Sequence, residues 1–376
     1  MEEEYDIKYT KQTVMKIPGF KIIDWYIIKK FLGTYCFTIL LIIAISVMFD
    51  FNEKIDNFIK TSAPTHAIIF DYYLNFIPYF INLFSPLFVF IAVIFFTSKL
   101  ADNSEVIAML ASGMNFKRLM RPYMISAAVI AIFTFVLNSY IIPPGNIKMN
   151  NFKNTYIRNK QINIDTNIQL EVEPGIVAYF DRFSNRDKSG RGFLLDKFEG
   201  NQLVSRLTAT RIYWDSAYNW RVQDYMIQDF IGYEGKVRTG NEMDTTLTII
   251  PSDFMISEID AEQMTTPDLK KYIDRQKTRG VGNIQMFEIE YHNRFSMTFA
   301  AFILTIIGAS LSSRKIKGGM GMNIGIGLLL SFSYILFMEV SSTFAVSRIM
   351  SAFLASWLPN ILYAIIAAFL YTKAPR

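Results

Sequence analysis

The sequence predicts a polytopic α-helical membrane protein, with six transmembrane helices set three and three around an inserted all-β domain. Three observations predict it. Six apolar stretches, roughly Phe31–Phe49, Phe76–Thr97, Tyr123–Ile142, Phe295–Ser312, Met322–Thr343 and Ile349–Tyr371, approach the ~20 residues that a spanning helix needs. A mostly polar stretch, residues 143–290, separates the first three from the last three. The chain is 51% apolar and 15% aromatic, with a mean hydropathy of +0.23, and a soluble core does not sort such residues into six long runs.

The N-terminal segment, 1–30, holds three consecutive glutamates and the lysines Lys8, Lys11, Lys16, Lys21, Lys29 and Lys30. It has no apolar core of the kind a cleaved signal peptide needs, so the first span is expected to remain. Cys36, the only cysteine, lies in that span and can form no intramolecular disulfide; it reads as a small apolar side chain. The chain leaves the span through Asp50-Phe51-Asn52-Glu53-Lys54-Ile55-Asp56, a mainly acidic stretch.

Between spans two and three, residues 103–112 are expected to form a short amphipathic helix. Asp102, Asn103 or Ser104 can cap it, and Glu105 suits its first turn. Val106, Ile107, Met109 and Leu110 share one face, Ala111 follows, and Gly113 is a natural stop. Such a helix lies on lipid or fits a groove in a partner. The plainer alternative is a connecting turn. The third span completes the block 31–142.

Within 143–290, short β-like runs alternate with turn residues. Gly175–Phe183, Gly192–Phe198, Leu203–Ile212, Trp220–Asp229 and Thr245–Ile250 are the expected strands. Breaks fall at Glu173-Pro174-Gly175, Asp187–Gly190 and Asp215–Asn219. This spacing fits a sandwich, a jelly-roll or an open barrel. A return helix is expected over 266–280, with Thr266 as its cap, Pro267 at its first position, Leu269, Tyr272 and Ile273 as its apolar stripe and Gly280 as its stop. The block 291–376 carries spans four to six. Glu339 is the one acidic residue well inside an apolar span, about 25 Å from the Met322 end at ~1.5 Å per residue. An intramembrane carboxylate usually faces a cavity or a partner.

Charge then orients the chain. If the spans alternate, one face collects the N-terminal lysines, then Lys99, Lys117, Arg118 and Arg121, then Arg314, Lys315 and Lys317, and finally Lys373 and Arg376. The short loops of the other face hold Lys54, Lys60 and Arg348. The positive-inside rule places both termini in the cytoplasm and the β-domain outside. The net charge of +5 and pI of about 9.0 are therefore a topology signal, and nucleic acid is not an expected partner.

No catalytic motif stands out. There is no HExxH, GxSxG or Walker sequence and no Cys/His set with metal spacing. His66 and His292 sit singly near membrane boundaries, and Glu171 with Glu173 reads as one polar strand face. The chain is therefore expected to be no enzyme and to bind no cofactor or metal itself. With no nucleotide motif, any ATP-driven role needs a separate ATPase, and the 103–112 helix is its natural handle.

After about Ile22, the chain resembles the LptF/LptG permeases of the bacterial lipopolysaccharide exporter. Three motifs carry the resemblance: Ser104-Glu105 through Ala111-Ser112-Gly113, Gly308-Ala309-Ser310 through Arg314 to Gly318-Gly319, and Ala355-Ser356-Trp357-Leu358-Pro359-Asn360. Leu203–Asp229 and the Met264–Gly280 helix look nearer to LptG than to LptF. The resemblance implies a Gram-negative inner-membrane protein with a periplasmic β-jelly-roll. It implies a second, homologous permease, an LptB-type ATPase dimer that binds ATP and Mg, LptC, and an LptA-type periplasmic bridge.

It also implies roles for residues. Glu105, Val106, Met109, Leu110, Ala111 and Gly113 would couple to the ATPase. Family members carry basic residues at the outer end of the first span, where lipid phosphates are met; this chain is acidic there, so Lys54, Lys60, Lys148 and Lys153 become the headgroup candidates, Lys153 first. Lipid would enter between the first span of one permease and the fifth of the other. Wall candidates are Phe37, Ile45, Met48 and Phe49 on the first span, and Leu328, Phe332, Ile335, Phe337 and Glu339 on the fifth. Rival functions are a permease or mechanotransmitter for lipoproteins or another envelope lipid, and a membrane-anchored enzyme or structural protein. The span count argues against the first, and the missing nucleophile or metal set against an enzyme.

Overall fold

The computed structural model describes residues 21–157, 164–184, 187–231, 234–251, 258–278, 284–314 and 319–374. Six of its helices are long and apolar enough to cross a membrane, and an antiparallel six-stranded sheet interrupts them after the third, so the chain is a polytopic helical membrane protein with an inserted β-domain. Lys8, Lys11, Lys16, Lys315, Lys317, Arg376 and Gly280 lie outside the described residues.

Helix α1 (Ile22–Lys60) is longer than its apolar run at both ends. Lys29, Lys30, Glu53 and Lys54 are good helix formers, so the helix continues where hydropathy stops. Asp24 closes its first turn by accepting the Lys21 N–H at 3.0 Å. A short turn, α2 (Thr65–Ala67), and a π-type turn over Ile68–Tyr73 lead into α3 (Leu74–Leu83). Span two was expected as one helix and is two. Phe84 (φ −98°, ψ 8°) separates α3 from α4 (Ser85–Asp102), because Pro86 has no N–H to bond the preceding turn.

The short loop helix is present as α5 (Glu105–Ala111). No side chain caps it; Ser104 instead takes a left-handed conformation (φ 61°) and gives its carbonyl to Ala108 at 3.0 Å. Gly113 stops it with φ +86°, as glycine readily can. Asn115 caps α6 (Phe116–Val136) through the Arg118 N–H at 2.8 Å. The third span does not end at Ile142. It passes through a π-type turn, Leu137–Ile141, into α7 (Ile142–Phe152) and a second such turn, Lys153–Ile157. Pro143 and Pro144, which mark the expected start of the β-domain, sit instead in the first turn of α7, where the missing N–H groups cost nothing.

The sheet runs β1 (Ile164–Glu173), β2 (Ile176–Ser184), β3 (Ser189–Glu199), β4 (Gln202–Ser216), β5 (Asn219–Ile231) and β6 (Glu234–Thr246), each strand antiparallel to its chain neighbours. It is strongly curled. Along the register Phe183–Gly190–Ile212–Val222, β2 and β5 would stand about 14 Å apart if flat. Yet the rings of Phe183 and Trp220 lie 6.2 Å apart over one buried core. Gly190 makes room for that closure, since a Cβ there would meet the Phe180 ring at 2.6 Å. The expected strand Thr245–Ile250 is strand only to Thr246. Beyond it the chain crosses the open side: Leu247 N–H donates to the Tyr218 carbonyl, Thr248 Oγ1 to the Val172 carbonyl, and Trp220 Nε1 to the Ile249 carbonyl.

Helices α8 (Glu258–Glu262) and α9 (Thr266–Thr278) return the chain to α10 (Gln285–Ser312), α11 (Gly319–Val346) and α12 (Ala352–Lys373). Thr265, one residue before the expected cap, precedes α9 and gives its carbonyl to Leu269 at 2.8 Å. Helix α4 is the axis of the bundle, with Phe88, Val89, Phe90, Ala92 and Val93 fully buried. Glycines bring its neighbours close: Gly308 of α10 would set a Cβ 2.9 Å from Val93, and Gly327 of α11 approaches Ile94.

The helix ends sort onto two faces. On the basic face Arg118 meets Asp24, Phe116 meets Tyr371 at 5.6 Å, and Arg314 donates to the Lys373 carbonyl. On the other, Phe58 at the far end of α1 packs on Tyr72 and Phe152, and Arg294 of α10 reaches Thr266 and Ala261 beside the β-domain.

Candidate functional site

Three structures stand out: a charged aromatic cluster at the β-domain end of α1, an apolar stripe along it, and the α5 helix at its foot. The cluster is built around Tyr72, which is fully buried among Phe58, Phe76 and Phe152. Its hydroxyl donates to Asp50 Oδ1 at 3.2 Å, and Tyr73 donates to Asp50 Oδ2 at 3.2 Å. Lys54, one turn along α1, pairs with the same carboxylate and stands 5.3 Å from the centre of the Tyr72 ring. Lys153 reaches that ring from the third span, at 6.0 Å. Burial first, and the Asp50 charge next, push both phenols well above their ordinary range, so they stay protonated donors.

The acidic start of this segment is thereby accounted for. Asp50 turns inward and pairs with Lys54, while the Lys54 and Lys153 ammonium groups both lie within 6.0 Å of the Tyr72 ring centre. Of the four headgroup lysines, Lys54 and Lys153 come together. Lys60 ends α1 in the open, and Lys148 lines a separate open cleft of about 310 Å³ with Asp71 and Thr155. Asp50, Tyr72 and Tyr73 were not singled out from the sequence; adjacent tyrosines at a membrane boundary were the available signal.

Phe37, Ile45, Met48 and Phe49 all lie exposed on α1, and with Leu40, Leu41 and Ala44 they form one continuous stripe at helical spacing. On α11 the exposed stripe is Leu329, Phe332, Leu336 and Val340. Phe332 belongs to it; Leu328, Ile335 and Phe337 are half-buried, and Ile335 packs on the core around Tyr334. Glu339 is exposed at the β-domain end of α11, where it lines a cleft of about 210 Å³ with Glu290, Asn293 and Ser342.

At the foot, α5 divides its residues between two sides. Val106 is fully buried against the bundle, with Met109 and Leu110 half-buried beside it. Ile107, Ala108 and Ala111 face outward, Ile107 being 54% exposed. Glu105 accepts a hydrogen bond from the Tyr26 hydroxyl of α1 at 3.0 Å. Beside it Arg118 grips the buried Asp24 with two bonds of 2.6 Å. The first bond fastens α5, and the second the start of α6, to the helix that carries the stripe. These two links join residues 79 and 94 positions apart, beyond the reach of local sequence pattern.

Among the described residues no cluster of three or more His, Cys, Asp or Glu could hold a metal ion. His66 stacks on Phe70, and His292 lies edge-on to Tyr291 and Phe353. No curated protein matches the chain. A family model described as lipopolysaccharide export system permease LptF/LptG matches residues 25–373.

Proposed function

Because the chain belongs to the LptF/LptG family of lipopolysaccharide export permeases, we propose that it is one of two permease subunits of an ATP-driven exporter. It extracts lipopolysaccharide from the outer leaflet of the bacterial inner membrane. The basic face is cytoplasmic and the β-domain periplasmic. The other permease is a homologue, this chain taking the LptG-type place. An LptB-type ATPase dimer supplies ATP hydrolysis, and LptC and an LptA-type bridge receive the lipid through the β-domain.

The observation that carries this reading is the joining of three parts on one helix. The stripe of α1 offers an apolar wall to acyl chains, with the exposed stripe of α11 facing the second permease's α1 in turn. Exchange of an acyl chain between bilayer and cavity is nearly neutral, both being apolar, so headgroup charge decides affinity. Lys54 and Lys153 supply that charge at the outer end, where the Tyr72 and Tyr73 hydroxyls bind the same Asp50 carboxylate as Lys54. At the inner end, closure of an ATPase on Ile107, Ala108 and Ala111 moves α5 as a rigid body, and the Tyr26–Glu105 bond carries that movement into α1, while Asp24–Arg118 ties α1 to the start of α6. Glu339 sits beside the path at its exit.

The test is reconstitution of the chain with its co-purified subunits in vesicles containing lipopolysaccharide, reading ATP-dependent transfer of lipid to a soluble acceptor. Ile107→Asp is expected to abolish nucleotide-binding-subunit capture and transfer. Lys54→Ala with Lys153→Ala is expected to lower lipid crosslinking to α1 by ~10-fold while leaving the complex assembled. That factor corresponds to about 1.4 kcal/mol of headgroup attraction. A chain that brings down no nucleotide-binding subunit, or that transfers lipid without ATP, overturns the proposal.

A further inference from the structure

Near the β-domain end of the bundle, spans two, three and four and α8 line a part-open cavity of about 70 Å³, well above the ~10–15 Å³ that one water requires. Four carboxamides, Asn82, Asn138, Asn146 and Asn293, two carboxylates, Glu262 and Glu290, and Tyr79 supply its polar lining, with no Lys, Arg or His among the described lining residues. Asn146 is only 1% exposed, and among the described residues its Oδ1 finds no hydrogen-bond donor; the buried Oδ1 of Asn293 is likewise unmatched among them. The Nδ2 end of Asn146 donates to the Glu262 carbonyl at 3.4 Å, which settles that its oxygen is the end left over.

The backbone is irregular at one of these contributors and beside another. Asn138 lies in the π-type turn Leu137–Ile141, and Asn82 comes two residues before the break at Phe84. Irregular backbone at membrane depth survives where protein or a polar cavity satisfies it, and π-type turns recur at functional sites. Arg294, itself buried, holds Glu290 Oε1 at 2.7 Å and also binds Thr266 and the Ala261 carbonyl. One wall of the cavity is thus anchored to α8 and α9, the helices that lead back from the β-domain.

We propose that this cavity binds a hard cation through oxygen donors, and that the ion ties the return helices to spans two to four. The two orphaned groups are acceptors, so their ligand must bring positive charge or protons. Of the two carboxylates at the wall Glu290 is paired with Arg294, and Glu262 adds a second negative group that favours charge. An all-oxygen donor set selects sodium, magnesium or calcium over softer metals, which seek nitrogen or sulfur. The site is separate from the headgroup cluster, although Glu290 and Asn293 also line the cleft that holds Glu339, and it stands or falls on ion binding alone.

The experiment uses the full chain in its native complex, purified into choline chloride with a chelator. Sodium, magnesium or calcium chloride is then added at constant ionic strength, while thermal unfolding and equilibrium binding of the radioactive ion are read. One of these ions is expected to raise the Tm by several degrees, saturably, with about one ion bound per chain. Asn146→Leu and Asn293→Leu are expected to lose both the shift and the bound ion while keeping the choline Tm, since each removes an unmatched acceptor. If Asn146→Leu does not fold, Asn138→Leu is read the same way and is expected to weaken binding. No ion-specific shift and no bound ion would mean that the cavity holds water only, and the proposal is overturned; so too if the Leu variants keep the wild-type response.

Discussion

Helices α1 and α4 are both membrane-spanning and both strongly apolar, but they are opposite in what they touch. The most apolar window of α1 has a hydropathy of 2.3 and is 17% buried within the chain, whereas that of α4 has 1.6 and is 78% buried. The more apolar helix is the less covered one. Hydropathy in a membrane chain reports contact with anything apolar, whether lipid, cargo or protein, and so cannot rank helices by burial. What distinguishes α4 is small and close-fitting neighbours, Gly308 and Gly327 among them. What distinguishes α1 is that only one line of it, Ile27, Phe31, Tyr35 and Ile39, packs into the core, while the stripe from Phe37 to Phe49 is uncovered.

The Asp24–Arg118 clasp is where the contrast breaks most easily. Arg118→Met would leave Asp24, 1% exposed, without its partner, at a cost of about 3 kcal/mol, since removing one member of a buried pair strands the other's charge. Thermal unfolding should fall accordingly, and amide exchange should rise in the first turns of α1 while the amides of α4 keep their protection. Equal loosening of both helices would show that α1 is not separately held.

Paired phenylalanines sharpen the contrast at a smaller effect. Phe88 of α4 is fully buried and Phe37 of α1 is 66% exposed. Bilayer and protein interior are alike apolar, so Phe88→Ala loses little transfer energy; the cavity left behind remains, worth about 2 kcal/mol at ~24 cal/mol per Å³. Phe37→Ala leaves no cavity and should shift stability by under ~0.5 kcal/mol. Its expected effect is on lipid crosslinking to the stripe. A stability loss for Phe37→Ala as large as for Phe88→Ala would mean that the stripe packs on protein.

The same contrast explains what could be read from the chain before its structure. Six spans, the polar insert, four of the strands and the α5 helix with its Gly113 stop follow from periodicity, because each depends on neighbours in sequence. Strand β6 was missed because Glu234–Thr246 has no alternating apolar face, and its pairing with β5 forms it. The third span was cut short at Pro143 because proline reads as a break unless its place in a first helical turn is known. The headgroup lysines were named individually, but their meeting over Tyr72 joins three separate segments, and no spacing rule carries that information. On α11, alternate faces of an all-apolar helix look alike in sequence, so Leu328 and Leu329 could not be told apart although only Leu329 is exposed.

The smallest expected change in stability tests the boldest part of the contrast, that an uncovered helix is driven from its foot. Tyr26→Phe removes one exposed hydrogen bond to Glu105 and keeps the ring, so folding should change by no more than about 1 kcal/mol. The Asp24–Arg118 clasp still holds α1 in place, and the outward residues of α5 are untouched, so the ATPase should still dock and hydrolyse ATP. If the Tyr26–Glu105 bond transmits α5 movement to α1, lipid transferred per ATP hydrolysed should fall several-fold while ATP hydrolysis itself does not. Glu105→Gln, made with Tyr26 intact, keeps an acceptor for that hydroxyl and should retain most of the ratio. Transfer and hydrolysis falling together in Tyr26→Phe would place the bond in docking, and movement would then have to reach α1 by way of α6 and its Asp24–Arg118 clasp.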